Sequence, residues 1–138
     1  MSRRIIALVL SMLLLTAALA SVSALAEEDD WKYEYFFARE TDTARIYYGL
    51  DLDKMIIWYF SINSEGQHAA MKQVLKGDAE SGFTFSWIEG DTDTLRIVDE
   101  GNALLTTSDG TEYEYRIVPE EEAREILVGF QDIINFMS

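Results

Sequence analysis

Four aromatic residues are the candidates for a binding surface: Trp58, Phe85, Trp87 and Tyr115. Flat rings at alternate positions of neighbouring antiparallel strands share one face. If that face is concave, the rings stack on a sugar or line an apolar cavity. The same residues also suit a filled core, because aromatic side chains favour strands in any case. The two readings separate on one question: whether the inner face of the sheet is hollow or filled.

Catalytic chemistry finds little footing. His68 is the single histidine, and no Gly-x-Ser-x-Gly turn presents a serine nucleophile. Asp51-x-Asp53 and Asp91-x-Asp93 look like the start of calcium loops. Such a loop also needs an oxygen ligand and then a glycine at its fifth and sixth positions. Here those positions hold Met55-Ile56 and Leu95-Arg96. With 25 Asp and Glu in the chain, pairs of carboxylates arise by chance and read as solvated turns. There is no cysteine, which removes thiol nucleophiles, disulfides and Cys-held metals. The expectation is a non-enzyme without metal or cofactor.

The formal net charge of -14 argues against nucleic acid, whose binding needs Lys and Arg on phosphates. It leaves two function classes. One is a module that binds a small apolar or sugar-like (carbohydrate) ligand. The alternative is an acidic interaction protein, an inhibitor or cell-envelope accessory, that docks a basic partner protein.

The elements that must position these residues are mostly strands. Trp31, Tyr33, Tyr35 and Phe37 alternate with polar residues, the pattern of a half-buried strand. Ala44 to Tyr48 is a second strand, ended by Gly49. Two adjacent tyrosines, Tyr47 and Tyr48, must face opposite sides, so one of them is expected outward. Lys54 to Ile62 is almost continuously apolar and reads as a strand buried on both faces. Residues 67–76 fit strand or helix, and the turns that bound them closely favour strand. Gly77 to Gly82 reads as a loop. Phe83, Phe85 and Trp87 alternate next, followed by Leu95 and Ile97, then by Ala103 to Thr107. Asp109-Gly110 marks a tight hairpin before Tyr113, Tyr115 and Ile117. Turns every 8–12 residues mean an antiparallel meander.

The period then changes. Pro119 and three glutamates open a helix over residues 119–137, with Ala123, Ile126, Leu127, Phe130, Ile133, Ile134 and Met137 as its apolar stripe. That stripe needs a partner, and an open face or mouth of the sheet is the economical one. The fold class is therefore mainly β (α+β): six or seven antiparallel strands in a strongly curved sheet or small barrel, with one C-terminal amphipathic helix.

The stretch Phe83-Thr84-Phe85-Ser86-Trp87, then Gly90-Asp91, Leu95-Arg96-Ile97 and Asp109 to Tyr115 resembles the C-terminal half of the small secreted lipocalin-like β proteins of bacteria. Trp58 to Gly66 fits an earlier strand and turn of such domains, so the resemblance spans residues 54–117. It implies a barrel with a helix beside it and a small ligand, and it brings no catalytic residues. The Gly-x-Trp strand signature of those domains is absent ahead of Trp31.

The N-terminus reads as an address. Arg3 and Arg4 precede an apolar run from Ile5 to Ala20, and Ala24-Leu25-Ala26 supplies the small residues a signal peptidase requires. Residues 1–26 are expected to be a cleaved signal peptide, with 27–138 as a single domain. That places the protein outside the cytoplasm, secreted or in the cell envelope, with no membrane contact after cleavage. An uncleaved anchor is the alternative.

Overall fold

The computed structural model describes residues 31–138, and the signal expected over residues 1–26 lies outside them. Nine strands follow one another: β1 (Tyr35–Glu40), β2 (Ala44–Asp51), β3 (Ile56–Asn63), β4 (His68–Val74), β5 (Lys76–Asp78), β6 (Gly82–Ile88), β7 (Asp91–Ile97), β8 (Asn102–Thr106) and β9 (Glu112–Ile117). They form one antiparallel sheet in the order β4-β3-β2-β1-β9-β8-β7-β6-β5. The first and last strands of that order, β4 and β5, are consecutive in the chain and separated only by Leu75. The sheet thus curls nearly closed, as a barrel-like meander. Curling removes most of the free edge that an open sheet would expose.

The turns are those the sequence marks. Gly66, Gly90 and Gly110 all take positive φ, which a side chain would strain. At the last hairpin, Thr107 and Thr111 pair across Asp109-Gly110. The Asp109 carboxylate accepts from the Thr107 hydroxyl and the Thr111 N–H, and these bonds hold its pKa down at about 2.

Both faces of the sheet are buried over β1–β3. The inner face carries Phe37, Tyr48, Leu50, Ile57, Phe83, Phe85, Leu95, Leu105 and Tyr115. The outer face carries Phe36, Tyr47, Trp58 and Phe60, whose rings touch one another. Two short helices cover it: α1 (Glu120–Val128) and α2 (Gln131–Met137). Phe130, between them, sits 5.0 Å from the Phe60 ring and 4.7 Å from the His68 ring. The helices therefore pack outside the barrel, not in its mouth.

Several expectations change here. The single helix over 119–137 is two helices. The apolar stripe keeps its spacing, but the Phe130 N–H bonds back three residues to Leu127, a tighter turn beside Gly129. Glycine is a poor helix former by roughly 1 kcal/mol, which favours the break there. Tyr47 and Tyr48 are both 5% exposed, because the helices cover the face on which Tyr47 stands. The first strand starts at Tyr35, after a bend at Glu34. That bend lays Tyr33 against the outer cluster, where its ring approaches Phe36 and Phe60. Gly49 makes room for it: a Cβ at 49 would lie 2.7 Å from the Tyr33 ring. Accordingly β2 runs through Gly49 to Asp51 instead of ending there. The loop expected from Gly77 to Gly82 is partly strand, as β5 pairs with the start of β6.

Candidate functional site

Inside the barrel the rings make one continuous belt. Tyr48 on β2 reaches Tyr115 on β9 at 5.3 Å and Phe85 on β6 at 5.7 Å. It also meets Tyr59 on β3 at 5.6 Å. Tyr59 and Phe85 both touch Trp87, at 6.0 and 5.9 Å. These are centroid distances of rings in edge or tilted contact, the favourable geometry for aromatic pairs. Strands β2 and β6 lie far apart in the sheet order, so the Tyr48–Phe85 contact crosses the interior. At this level the barrel is filled by its own side chains. Below it Tyr35 and Phe83 meet at 6.0 Å, and Leu50, Ile57, Leu75 and Leu95 complete a dry layer.

Above the belt the side chains are half-buried: Arg39, Ile46, Tyr59, Trp87, Asp93 and Tyr113. They surround one end of the barrel, the end closed by the β1–β2, β3–β4, β6–β7 and β8–β9 turns. Met71, opposite Tyr59 on β4, is 45% exposed. Arg39 continues the inner row Tyr35, Phe37, Arg39 and places its guanidinium carbon 4.5 Å from the centre of the Tyr113 ring.

The polar atoms of the belt are tuned by burial. Loss of water raises the Tyr48 hydroxyl far above its ordinary value, and its bond with the Tyr115 hydroxyl adds to this. Tyr115 is pushed up to about 12 by burial, against the pull of the nearby Arg39 charge. Burial also raises Asp93, while the Ser108 N–H stabilises its charged form. All three shifts follow from desolvation of the charged form. They keep both phenols neutral at physiological pH, as hydrogen-bonding groups and not as bases.

The barrel wall has one open seam. β5 pairs with only the first residues of β6, so β4 and the far half of β6 are not joined by a ladder. A cleft of roughly 380 Å³ lies there, lined by Gln73, Val74, Lys76, Thr84, Phe85, Ser86 and Thr92. It reaches the belt at Phe85.

Three of the four sequence candidates, Phe85, Trp87 and Tyr115, are therefore brought together through Tyr48 and Tyr59. Trp58 is not among them. It pairs with Gly49 and stacks on Phe60 on the outer face, with the Lys32 and Lys72 ammonium groups 5.0 and 5.3 Å from its ring. The face assigned to Trp58 from sequence was wrong by one residue. Apolar residues on both sides of β3 erase the alternation that marks an inner face, and Tyr59 is the residue that points in. Tyr48 and Arg39 are the residues that sequence reasoning misses for the site; Arg39 keeps the strand parity of Phe37, which is the signal that finds it.

His68 is exposed, its Nδ1 3.0 Å from the Gly66 carbonyl and its ring against Phe130. Among the described residues no group of three or more His, Asp or Glu is placed to hold a metal ion, and no helix is long and apolar enough to cross a membrane. Compared with protein-family models, curated proteins and solved structures, the chain matches none.

Proposed function

We propose that this chain is a non-catalytic binding module of lipocalin-like type that takes a small apolar or sugar-like ligand at the rim of its barrel, where Tyr59, Trp87 and Tyr113 stand. The observation that carries the reading is the grading of the aromatic belt. Phe85, Tyr48 and Tyr115 are buried, whereas Tyr59, Trp87 and Tyr113 at the rim keep part of their surface in water. Half-buried rings on a rigid sheet present flat apolar area at little entropic cost, with phenol hydroxyls for orientation. The belt beneath is filled by its own rings, so a ligand would lie on the rim and not in a deep cup.

The test uses N-phenyl-1-naphthylamine, a neutral fluorescent probe, on the full chain. Trp87→Ala should weaken its binding at least tenfold and cost less stability than Phe85→Ala, because Trp87 stands at the rim. Comparing variants of one chain cancels any uptake by the apolar N-terminal residues. Unchanged uptake in Trp87→Ala would remove the rim as the site. The reading left would be the acidic interaction protein. For that reading the unladdered edge of β4 offers a docking strand, flanked by Val74 and Ile88 at 58% and 66% exposure.

The reading also places the protein outside the cytoplasm. Intact-mass analysis of material from the native host should show Glu27 as the first residue. Retention of Met1 in a membrane fraction would instead mark residues 1–26 as an anchor.

A further inference from the structure

Arg39 is set apart by where it stands. Arg116 and Arg124 each hold a glutamate, and the other Lys and Arg side chains among the described residues form no ion pair. Of those without an ion pair, all but Arg39 are exposed. It stands half-buried on the inner face of β1, its guanidinium over the Tyr113 ring, and its charge is felt at the Tyr115 hydroxyl. A guanidinium stacked on an aromatic face keeps its N–H fork free in the ring plane for a planar or tetrahedral oxyanion. Partial burial strengthens such a contact by lowering the local dielectric.

From this we infer that the ligand of the rim carries an anionic group, a carboxylate, sulfonate or sulfate, joined to a flat apolar body, and that Arg39 receives the anion. The inference rests on the rim being the binding site. The chain's overall negative field opposes anions, so an anionic ligand needs a dedicated cation, and Arg39 is the cation that faces the rim. Asp93 bears on the orientation. It faces inward from β7 beside Phe85, held by the Ser108 N–H, with Asp91 and Asp109 nearby. Its negative charge repels an anion on its side and leaves the Arg39 side as the acceptor. The apolar body then lies over Tyr59 and Trp87.

The experiment compares two probes with the same ring system on the full chain: 1-anilinonaphthalene-8-sulfonate, which is anionic, and N-phenyl-1-naphthylamine, which is neutral. Arg39→Gln should weaken the anionic probe tenfold or more and leave the neutral probe within twofold. Asp93→Asn should act in the opposite sense and tighten the anionic probe. If Arg39→Gln does not fold, Arg39→Met, which keeps an unbranched apolar stem against the Tyr113 ring and removes the charge, makes the same comparison. Equal losses for both probes, or a sulfonate affinity indifferent to Arg39, would overturn the anion inference while leaving the rim reading intact. Failure of both probes to respond to Trp87→Ala would overturn the two together.

Discussion

Phe85→Ala should cost about 3–5 kcal/mol of folding stability, the range for truncating a buried phenylalanine. The side chain is 3% exposed and touches Tyr48 across the barrel and Trp87 along its own strand. Its loss leaves a void behind a wall that the β7 ladder holds on one side of β6, with the β4–β6 seam on the other. A domain near this size loses roughly 4–8 °C of melting midpoint per kcal/mol, so the midpoint should fall by more than about 10 °C. The void also uncovers the Tyr48 and Tyr115 hydroxyls to water. Their titration, raised by burial, should move back toward the ordinary phenol value, and absorbance at alkaline pH reads that shift. A melting midpoint within a degree or two of wild type would mean that the belt does not fill the barrel.

The sequence carries most of this architecture, and the places where it misleads share a cause. Alternation finds an inner face only where the opposite face meets water. That holds for β6, β7 and β9, where Phe85, Leu95 and Tyr115 face in. Over β1–β3 the opposite face meets α1 and α2, so Phe36, Tyr47, Trp58 and Phe60 are as apolar as their inward neighbours. Parity is then set by register. Trp58 pairs with Gly49 and Tyr59 with Tyr48, a long-range fact that no local pattern holds. The helix stripe was the available clue: seven apolar residues in search of a partner already imply a second buried sheet face.

The rim was legible in part for the same reason. Trp87 follows from the spacing of β6. Arg39 does not, because a charged residue ending an aromatic row reads as the strand leaving the core. Only the three-dimensional closure of β1 against β9 sets it over Tyr113. The seam is likewise invisible in sequence. Gln67 to Lys76 has no glycine to mark a break, yet the sheet parts at Leu75, whose N–H turns to the Met55 carbonyl while its side chain stays in the core.

Phe130→Ala should destabilise the domain by a similar amount, about 3–5 kcal/mol, although Phe130 belongs to no strand and no helix interior. It is fully buried, wedged against Phe60 and His68 at the turn between α1 and α2. Both helices reach the sheet through neighbours of this ring: Ala123 and Leu127 on one side, Ile134 on the other. Helices this short are marginal by themselves and depend on packing for their stability. Loss of the wedge should therefore loosen both, and with them the Lys72 bond to the Met137 carbonyl that ties the end of α2 to β4. Trp58, only 3% exposed beneath that corner, becomes reachable by a collisional quencher, which separates loosening of the helices from general unfolding. Phe136→Ala is the matched control. That ring is 90% exposed, and its removal should change stability by less than about 0.5 kcal/mol. If Phe130→Ala proves as mild as Phe136→Ala, the helices do not hold the outer face, and the buried state of Phe60 and Tyr47 needs another explanation. A large loss with ligand-probe binding preserved at temperatures where the variant stays folded would show the two buried faces to be separate in role: the outer one for stability, the inner rim for binding.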